Sequence, residues 1–201
     1  MVILTKAPVL GQVKTRLQPL LGEAETLKLY LALLEDTVQR HANADYAVQL
    51  AVAGHLQHPE IVRLAHTYAI GVVAQVGENL GARMQHLAEQ ALCQYDQVVL
   101  VGCDCPALDV DTVAHAFDVL QNYPVVVAPA EDGGYVLLGL REISPLLFED
   151  IVWGGAQVLS DTLARVKKLG WEVGMLDTFW DIDRPMDYQR YVAWVKPAQD
   201  G

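Results

Sequence analysis

Along the chain, short runs of apolar, often β-branched residues alternate with longer stretches whose apolar positions recur every three or four residues. The first pattern predicts buried strands and the second amphipathic helices. Val2 to Leu4 reads as a short strand, and Glu23 to His41 as a helix on which Leu27, Leu31, Leu34 and Val38 form one stripe. Tyr46 to Ala53, Val72 to Val76 and Gln97 to Val101 are further strands, the last being the clearest. Helices are expected over Pro59 to Tyr68, Leu80 to Leu92 and Asp111 to Leu120. Proline suits the first turn of one of them and an acidic residue the first turn of another. Val125 to Ala128 and Tyr135 to Leu140 flank Glu131-Asp132-Gly133-Gly134, a turn signal that predicts an antiparallel pair. A helix over Gln157 to Leu169, a strand over Trp171 to Leu176 and a helix over Pro185 to Val195 complete the pattern.

This alternation predicts an α/β protein with a Rossmann-like mixed, mostly parallel sheet and helices on both faces. No linker, repeat or low-complexity stretch divides it, so residues 1–195 are expected to form one domain and 196–201 a frayed tail. At 201 residues, 52% of them hydrophobic, the chain is long enough to bury a real core. A net charge of −11 argues against nucleic acid or an anionic membrane as partner. No run approaches the roughly 18 apolar residues that span a bilayer. The first residues read as a strand rather than a signal peptide, so the cytoplasm is the expected location. Cys93, Cys103 and Cys105 make neither a disulfide framework nor a zinc site, and the six histidines are scattered, mostly at expected helix surfaces.

In such a sheet, ligands sit beyond the carboxyl ends of the strands, near a switch in strand order. The loop after the first strand carries Lys6, Lys14 and Arg16 in a chain otherwise short of bases, with Pro8 and Gly11 shaping it. Arginine offers a planar fork and lysine a point charge, a pairing that suits a di- or triphosphate. Gly102-Cys103-Asp104-Cys105-Pro106 follows the clearest strand, where Asp104 suits a divalent cation; Asp109 and Asp111 are better placed to cap the next helix. Asp132 projects from the Asp-Gly-Gly turn, which is also an ordinary hairpin signal. Asp181 and Asp183 stand two apart and either share a cation or divide metal and capping roles. In Gln75 to Met84, Asn79 suits a helix cap, and Arg83 either reaches a ligand or pairs with Glu78.

Lys-x-Pro-x-x-Gly-x-Val-Lys-Thr-Arg-Leu at 6–17, Leu-Gly-x-Arg-Met at 80–84, Gly-x-Asp-x-Pro-x-Leu at 102–108, Pro-Ala-x-Asp-Gly-Gly-Tyr at 129–135 and Asp-Ile-Asp-x-Pro-x-Asp at 181–187 occur in order. Together they resemble the glycosyltransferase A-like family DUF2064, also described as selenodomain-associated transferases, across residues 2 to 192. The resemblance implies a nucleotide-diphospho-sugar transferase fold with Mg²⁺ or Mn²⁺ on aspartates bridging the phosphates. On this chain it implies metal ligation by Asp104 with Asp181 or Asp183, and a triphosphate held near Lys14, Thr15 and Arg16. Catalytic work is expected of Asp104, Asp132 and Lys14. Phosphate contacts are expected from Lys6, Pro8, Gly11, Lys14, Thr15, Arg16, Arg83, Gly133 and Gly134. One departure stands out: Gly154-Gly155 follow Trp153, where the family usually has a hydroxyl residue next.

Two activities need the same electrostatics, a cation and bases neutralising phosphate charge. The first expectation is a glycosyltransferase moving a sugar from a nucleotide-sugar to a small-molecule acceptor. The alternative is a nucleotidyltransferase, in which a phosphate or hydroxyl acceptor attacks a nucleoside triphosphate and pyrophosphate leaves. A third reading, a non-catalytic nucleotide-binding protein, draws on the Gly154-Gly155 departure.

Overall fold

The computed structural model describes residues 1–195; the expected frayed tail, 196–201, lies outside them. Seven strands form one sheet: β1 (Val2–Lys6), β2 (Gln49–Ala53), β3 (Gly71–Ala74), β4 (Val98–Val101), β5 (Val125–Pro129), β6 (Tyr135–Leu140) and β7 (Val173–Met175). Their spatial order is β3-β2-β1-β4-β6-β5-β7. Only β6 is antiparallel to its neighbours, pairing Val98 with Leu140 on one side and Val125 with Leu140 on the other. The Asp-Gly-Gly turn therefore does join an antiparallel pair, with the register shifting at Ala128 and Pro129.

Side chains alternate across this sheet, as the pleat requires. Ile3, Leu50, Val52, Val99, Val101 and Val126 point to one face, under α1 (Gln18–His41), α2 (Pro59–Tyr68) and α4 (Val110–Leu120). Val2, Ala51, Val98, Leu100, Val125 and Val127 point to the other, under α3 (Leu80–Leu92) and α5 (Val158–Lys168). A smaller cluster of Leu17, Leu33 and Ile182 joins α1 to the segment leading into α6 (Pro185–Val195).

Two expectations shift. The first long helix is interrupted at Gly22, whose backbone (φ 76°, ψ 163°) is not helical, so its regular part begins where Glu23 was expected to start it. Its buried face is turned: Tyr30, Leu33, Leu34, Thr37, Val38 and His41 are buried, while Leu27 and Leu31 are half-buried. The helix serves two clusters at once, the sheet through Leu34 and Val38 and the C-terminal segment through Leu33. His41 is also fully buried rather than on a surface, its Nδ1 2.6 Å from the Tyr46 hydroxyl.

At the far edge, Gly174 on β7 lies beneath α4. A Cβ there would stand 2.3 Å from the Val119 side chain and 3.1 Å from Val126. Gly174→Ala should therefore cost about 1–3 kcal/mol by overpacking, read as a lower urea midpoint at unchanged m-value.

Candidate active site

The strand order reverses between β1 and β4, and the cleft opens over that point, with a volume of about 660 Å³. One wall is the loop leaving β1. Tyr30 anchors its start: the tyrosine hydroxyl accepts from the Lys6 N–H at 2.8 Å and lies 2.6 Å from the Thr5 hydroxyl. Lys14 then takes a left-handed backbone (φ 46°), and a single 3-10 turn, Thr15–Leu17, leads into α1. That turn carries Arg16 over the cleft.

Three separate loops meet at the Lys14 ammonium. It donates to Asp104 Oδ2 at 2.8 Å and to the Ile182 carbonyl, while the Ile182 N–H donates to the Asp104 carbonyl at 2.9 Å. The Lys14 side chain is 6% exposed and that of Asp104 36%. Burial opposes the charge on Lys14, yet the Asp104 carboxylate outweighs it by charge and hydrogen bond, holding the ammonium above the ordinary lysine value. Beside it, Arg16 pairs with Asp183 at the cleft mouth.

Asp104 is therefore an ion-pair partner of Lys14, and Asp109 caps α4 by accepting from the Thr112 N–H at 2.8 Å. Asp183 does not cap α6 either. It engages Arg16 instead, while Asp187, in the first turn of α6, reaches back to accept from the N–H groups of Asp183 and Arg184. Asn79 caps α3, as expected, at 2.9 Å from the Ala82 N–H. Arg83 lines the cleft and donates through Nε to the Gly77 carbonyl at 3.0 Å rather than pairing with Glu78.

Asp132 stands exposed at the hairpin tip, one oxygen accepting from the Gly134 N–H at 2.9 Å. Backbone bonds between Glu131 N–H and Phe179 O, and between Phe179 N–H and Pro129 O, tie that tip to the segment carrying Asp181. Burial, then the charges of Asp104 and Asp132, push the Asp181 carboxyl up to about 7.

Lys6, Lys14, Thr15, Arg16, Arg83, Asp104, Asp132, Gly134, Asp181 and Asp183 thus border one cleft. Pro8, Gly11 and Gly133 do not line it. Gly11 (φ 77°) faces the Glu23 carboxylate, and Gly133 (φ 92°) packs against Ala156, where a Cβ would sit 2.1 Å from the carbonyl. These residues shape loops; they do not border the cleft. Among the described residues, no three His, Cys, Asp or Glu side chains are arranged to hold an ion unaided.

Gln75 and Trp153 border the cleft too, in roles that the sequence did not reveal. Gln75 Nε2 donates at 2.8 Å to the carbonyls of both Thr5 and Ala51, joining the ends of β1 and β2. Trp153 rests on Gly81 so closely that a Cβ there would lie 2.4 Å from the indole. A glycine in the first turn of an otherwise regular helix was the available signal for that contact. Cys103 and Cys105 are buried, and burial raises their thiols to about 11 and about 12, which leaves them protonated and inert.

Strand order, the lone antiparallel strand and a cleft at the β1–β4 switch define the nucleotide-diphospho-sugar transferase fold. The chain belongs to the DUF2064 family, described as uncharacterized proteins conserved in bacteria, whose profile matches residues 35–155. It is 32% identical to a candidate nucleotide-diphospho-sugar transferase from Desulfovibrio desulfuricans G20, whose crystal structure matches with a TM-score of 0.84 over 91% of this chain and 81% of that one. It is also 25% identical, over 132 residues, to 2-phospho-L-lactate guanylyltransferase from Methanothermobacter thermautotrophicus; the match covers 64% of this chain and spans only 56% of that relative. A 4-diphosphocytidyl-2C-methyl-D-erythritol synthase from Anaerococcus prevotii DSM 20548 shares the fold at 10% identity, with a TM-score of 0.65 over 97% of this chain and 95% of the other.

Two variants test this geometry. Lys14→Met cuts the tie between the loops and leaves the Asp104 carboxylate unpaired. It should cost about 1–3 kcal/mol, below the value for a fully buried pair because Asp104 is partly solvated. Asp181 has the opposite sense. Its folded pKa lies above the unfolded one, so stability is lost as pH rises from about 4 to about 7. In chelator-treated protein, Asp181→Asn should raise stability at pH 8 by on the order of 1–2 kcal/mol after solvent screening, and leave it unchanged at pH 4. Equal shifts at both pH values would contradict the assignment.

Proposed function

We propose that this transferase moves a nucleotidyl group: an acceptor attacks the α-phosphorus of a nucleoside triphosphate and pyrophosphate leaves. The observation that carries the reading is the convergence of the basic β1 loop and four aspartates on one cleft at the strand switch. The guanylyltransferase relative and the fold shared with 4-diphosphocytidyl-2C-methyl-D-erythritol synthase support it.

Charge then specifies what else binds. The cleft holds Lys6, Lys14, Arg16 and Arg83 against Asp104, Asp132, Asp181 and Asp183, so its acids and bases balance. Two of those bases are already occupied by aspartates. A triphosphate entering beside four carboxylates needs further positive charge. Mg²⁺ or Mn²⁺ supplies it, held by Asp104 and Asp181, with Asp183 near the mouth. A small cation of this kind takes one or two carboxylates and completes its shell with phosphate oxygens and water. That suits a site without three clustered protein ligands. When bound, the ion neutralises charge growing on the leaving group.

The protein's own groups do the rest. Arg16 and Lys6, both exposed, meet the outer phosphates, where Arg16 offers a forked donor. Lys14 keeps Asp104 aimed into the cleft. Asp132, at the hairpin tip, receives the acceptor's proton.

Thermal melting with nucleoside triphosphates and nucleotide-sugars, each with and without Mg²⁺ or Mn²⁺, tests the reading. A triphosphate at a hundred times its Kd should add about 2.7 kcal/mol of stability, and only with the cation. Stabilisation by a nucleotide-sugar alone would indicate glycosyl transfer instead. Asp104→Asn should lower the baseline melting temperature, because Lys14 loses its partner, and beyond that it should lose most of the metal-dependent shift, with pyrophosphate release falling at least about a hundredfold.

A further inference from the structure

Where β1 and β2 end at the cleft, one side chain has its chemistry fixed by its neighbours. Gln75 Nε2 lies 2.8 Å from the carbonyl oxygens of both Thr5 and Ala51. Only the nitrogen of the amide fits against two carbonyl oxygens, so its orientation is settled and both of its N–H donors are used. Among the described residues no donor meets Oε1, and Gln75 lines the cleft half-buried. What this glutamine offers a ligand is a single, rigidly held acceptor.

Arg83, in the first turn of α3, is held in the complementary sense. Its Nε donates at 3.0 Å to the carbonyl of Gly77, two residues along the chain from Gln75, and among the described residues it pairs with no carboxylate. Its two terminal nitrogens remain, a planar fork of donors only. Around the pair the cleft wall is apolar: Leu4, Leu80 and Met84 line it, and Leu80 is 43% exposed. Trp153, packed on Gly81, adds an aromatic face to the same cleft.

We propose that Gln75 and Arg83 read the edge of the nucleobase, and that they select guanine or cytosine over adenine and uracil. The inference rests on the nucleotidyl-transfer reading and adds which triphosphates enter. A flat ring gains from covering leucine and indole surface, whereas a phosphate there would lose hydration for no return. Selection follows from the order of donors and acceptors around the ring. The arginine fork takes two neighbouring acceptors, and the glutamine oxygen takes an N–H next to them. Guanine supplies this order with N7 and O6 followed by N1–H, and cytosine with O2 and N3 followed by its N4 amine. Adenine (N7, the N6 amine, N1) and uracil (O4, N3–H, O2) alternate instead, so neither fills both arms of the fork. A free glutamine amide pairs well with adenine by donating and accepting together. Gln75 has no donor left, which closes that option.

Calorimetric titration of the full chain in Mg²⁺ with non-hydrolysable analogues of GTP, CTP, ATP and UTP tests this. GTP or CTP should bind at least about tenfold more tightly than ATP and UTP, and their separate values show which of the two is preferred. Arg83→Lys keeps the charge and removes the fork. It should cost the preferred nucleotide about tenfold and leave ATP and UTP within about twofold, with the nucleotide-free protein still melting cooperatively. Equal affinity for all four, or a preference for ATP or UTP, overturns the proposal while leaving the metal-dependent triphosphate shift intact. So does a uniform loss across all four in Arg83→Lys, which would assign the arginine to the phosphates. Binding of none of the four removes the nucleotidyl-transfer reading, and this inference with it.

Discussion

The structure depends on one buried ammonium. Lys14 joins the loop after β1, the loop after β4 and the segment before α6, elements 90 and 168 residues away along the chain. Among the described residues, no other contact in the cleft brings those three together at one atom. A lysine there without Asp104 would face the full cost of burial, and Asp104 without the lysine would add to an already acidic wall. The lysine keeps its charge there because the carboxylate is beside it. The left-handed backbone of Lys14 belongs to the same arrangement, since it turns the chain so that the side chain enters the protein while Arg16 stays outside.

The sheet explains why that junction lies where it does. Parallel strands send their carboxyl ends to one edge, and the reversal of order between β1 and β4 leaves a gap there that no crossover helix fills. The antiparallel β6 adds the hairpin tip with Asp132, which the Phe179 backbone draws toward Asp181. Four carboxylates consequently crowd a small volume. Burial and mutual repulsion act together on Asp181 and raise its carboxyl. Strain of this kind, concentrated in one cleft, is common where a ligand completes a site.

Much of the architecture was legible in the residues. Helices over 59–68, 80–92 and 185–195 match their expected limits, because proline, asparagine and glycine punctuate them and their apolar spacing is regular. The antiparallel β5–β6 pair followed from Asp-Gly-Gly. Legibility failed where one element answers to two partners. The buried face of α1 is turned because Leu33 packs on Leu17 and Ile182 while Leu34 and Val38 pack on the sheet, and spacing along one helix carries no trace of a second neighbour. Gly133 looked like a place for a ligand, yet Ala156 occupies the space beside it.

Sequence by itself determined the elements, their alternation and the inventory of charged loops, since these follow from local periodicity and residue chemistry. Only the tertiary structure decided how the charges are shared: that Lys14 is buried against Asp104, that Arg16 is engaged by Asp183, and that Asp132 and Asp181 border the same cleft. The reason is physical. Burial and Coulomb interaction depend on distances between loops far apart in the chain, and those distances exist only once the sheet has set the loops side by side.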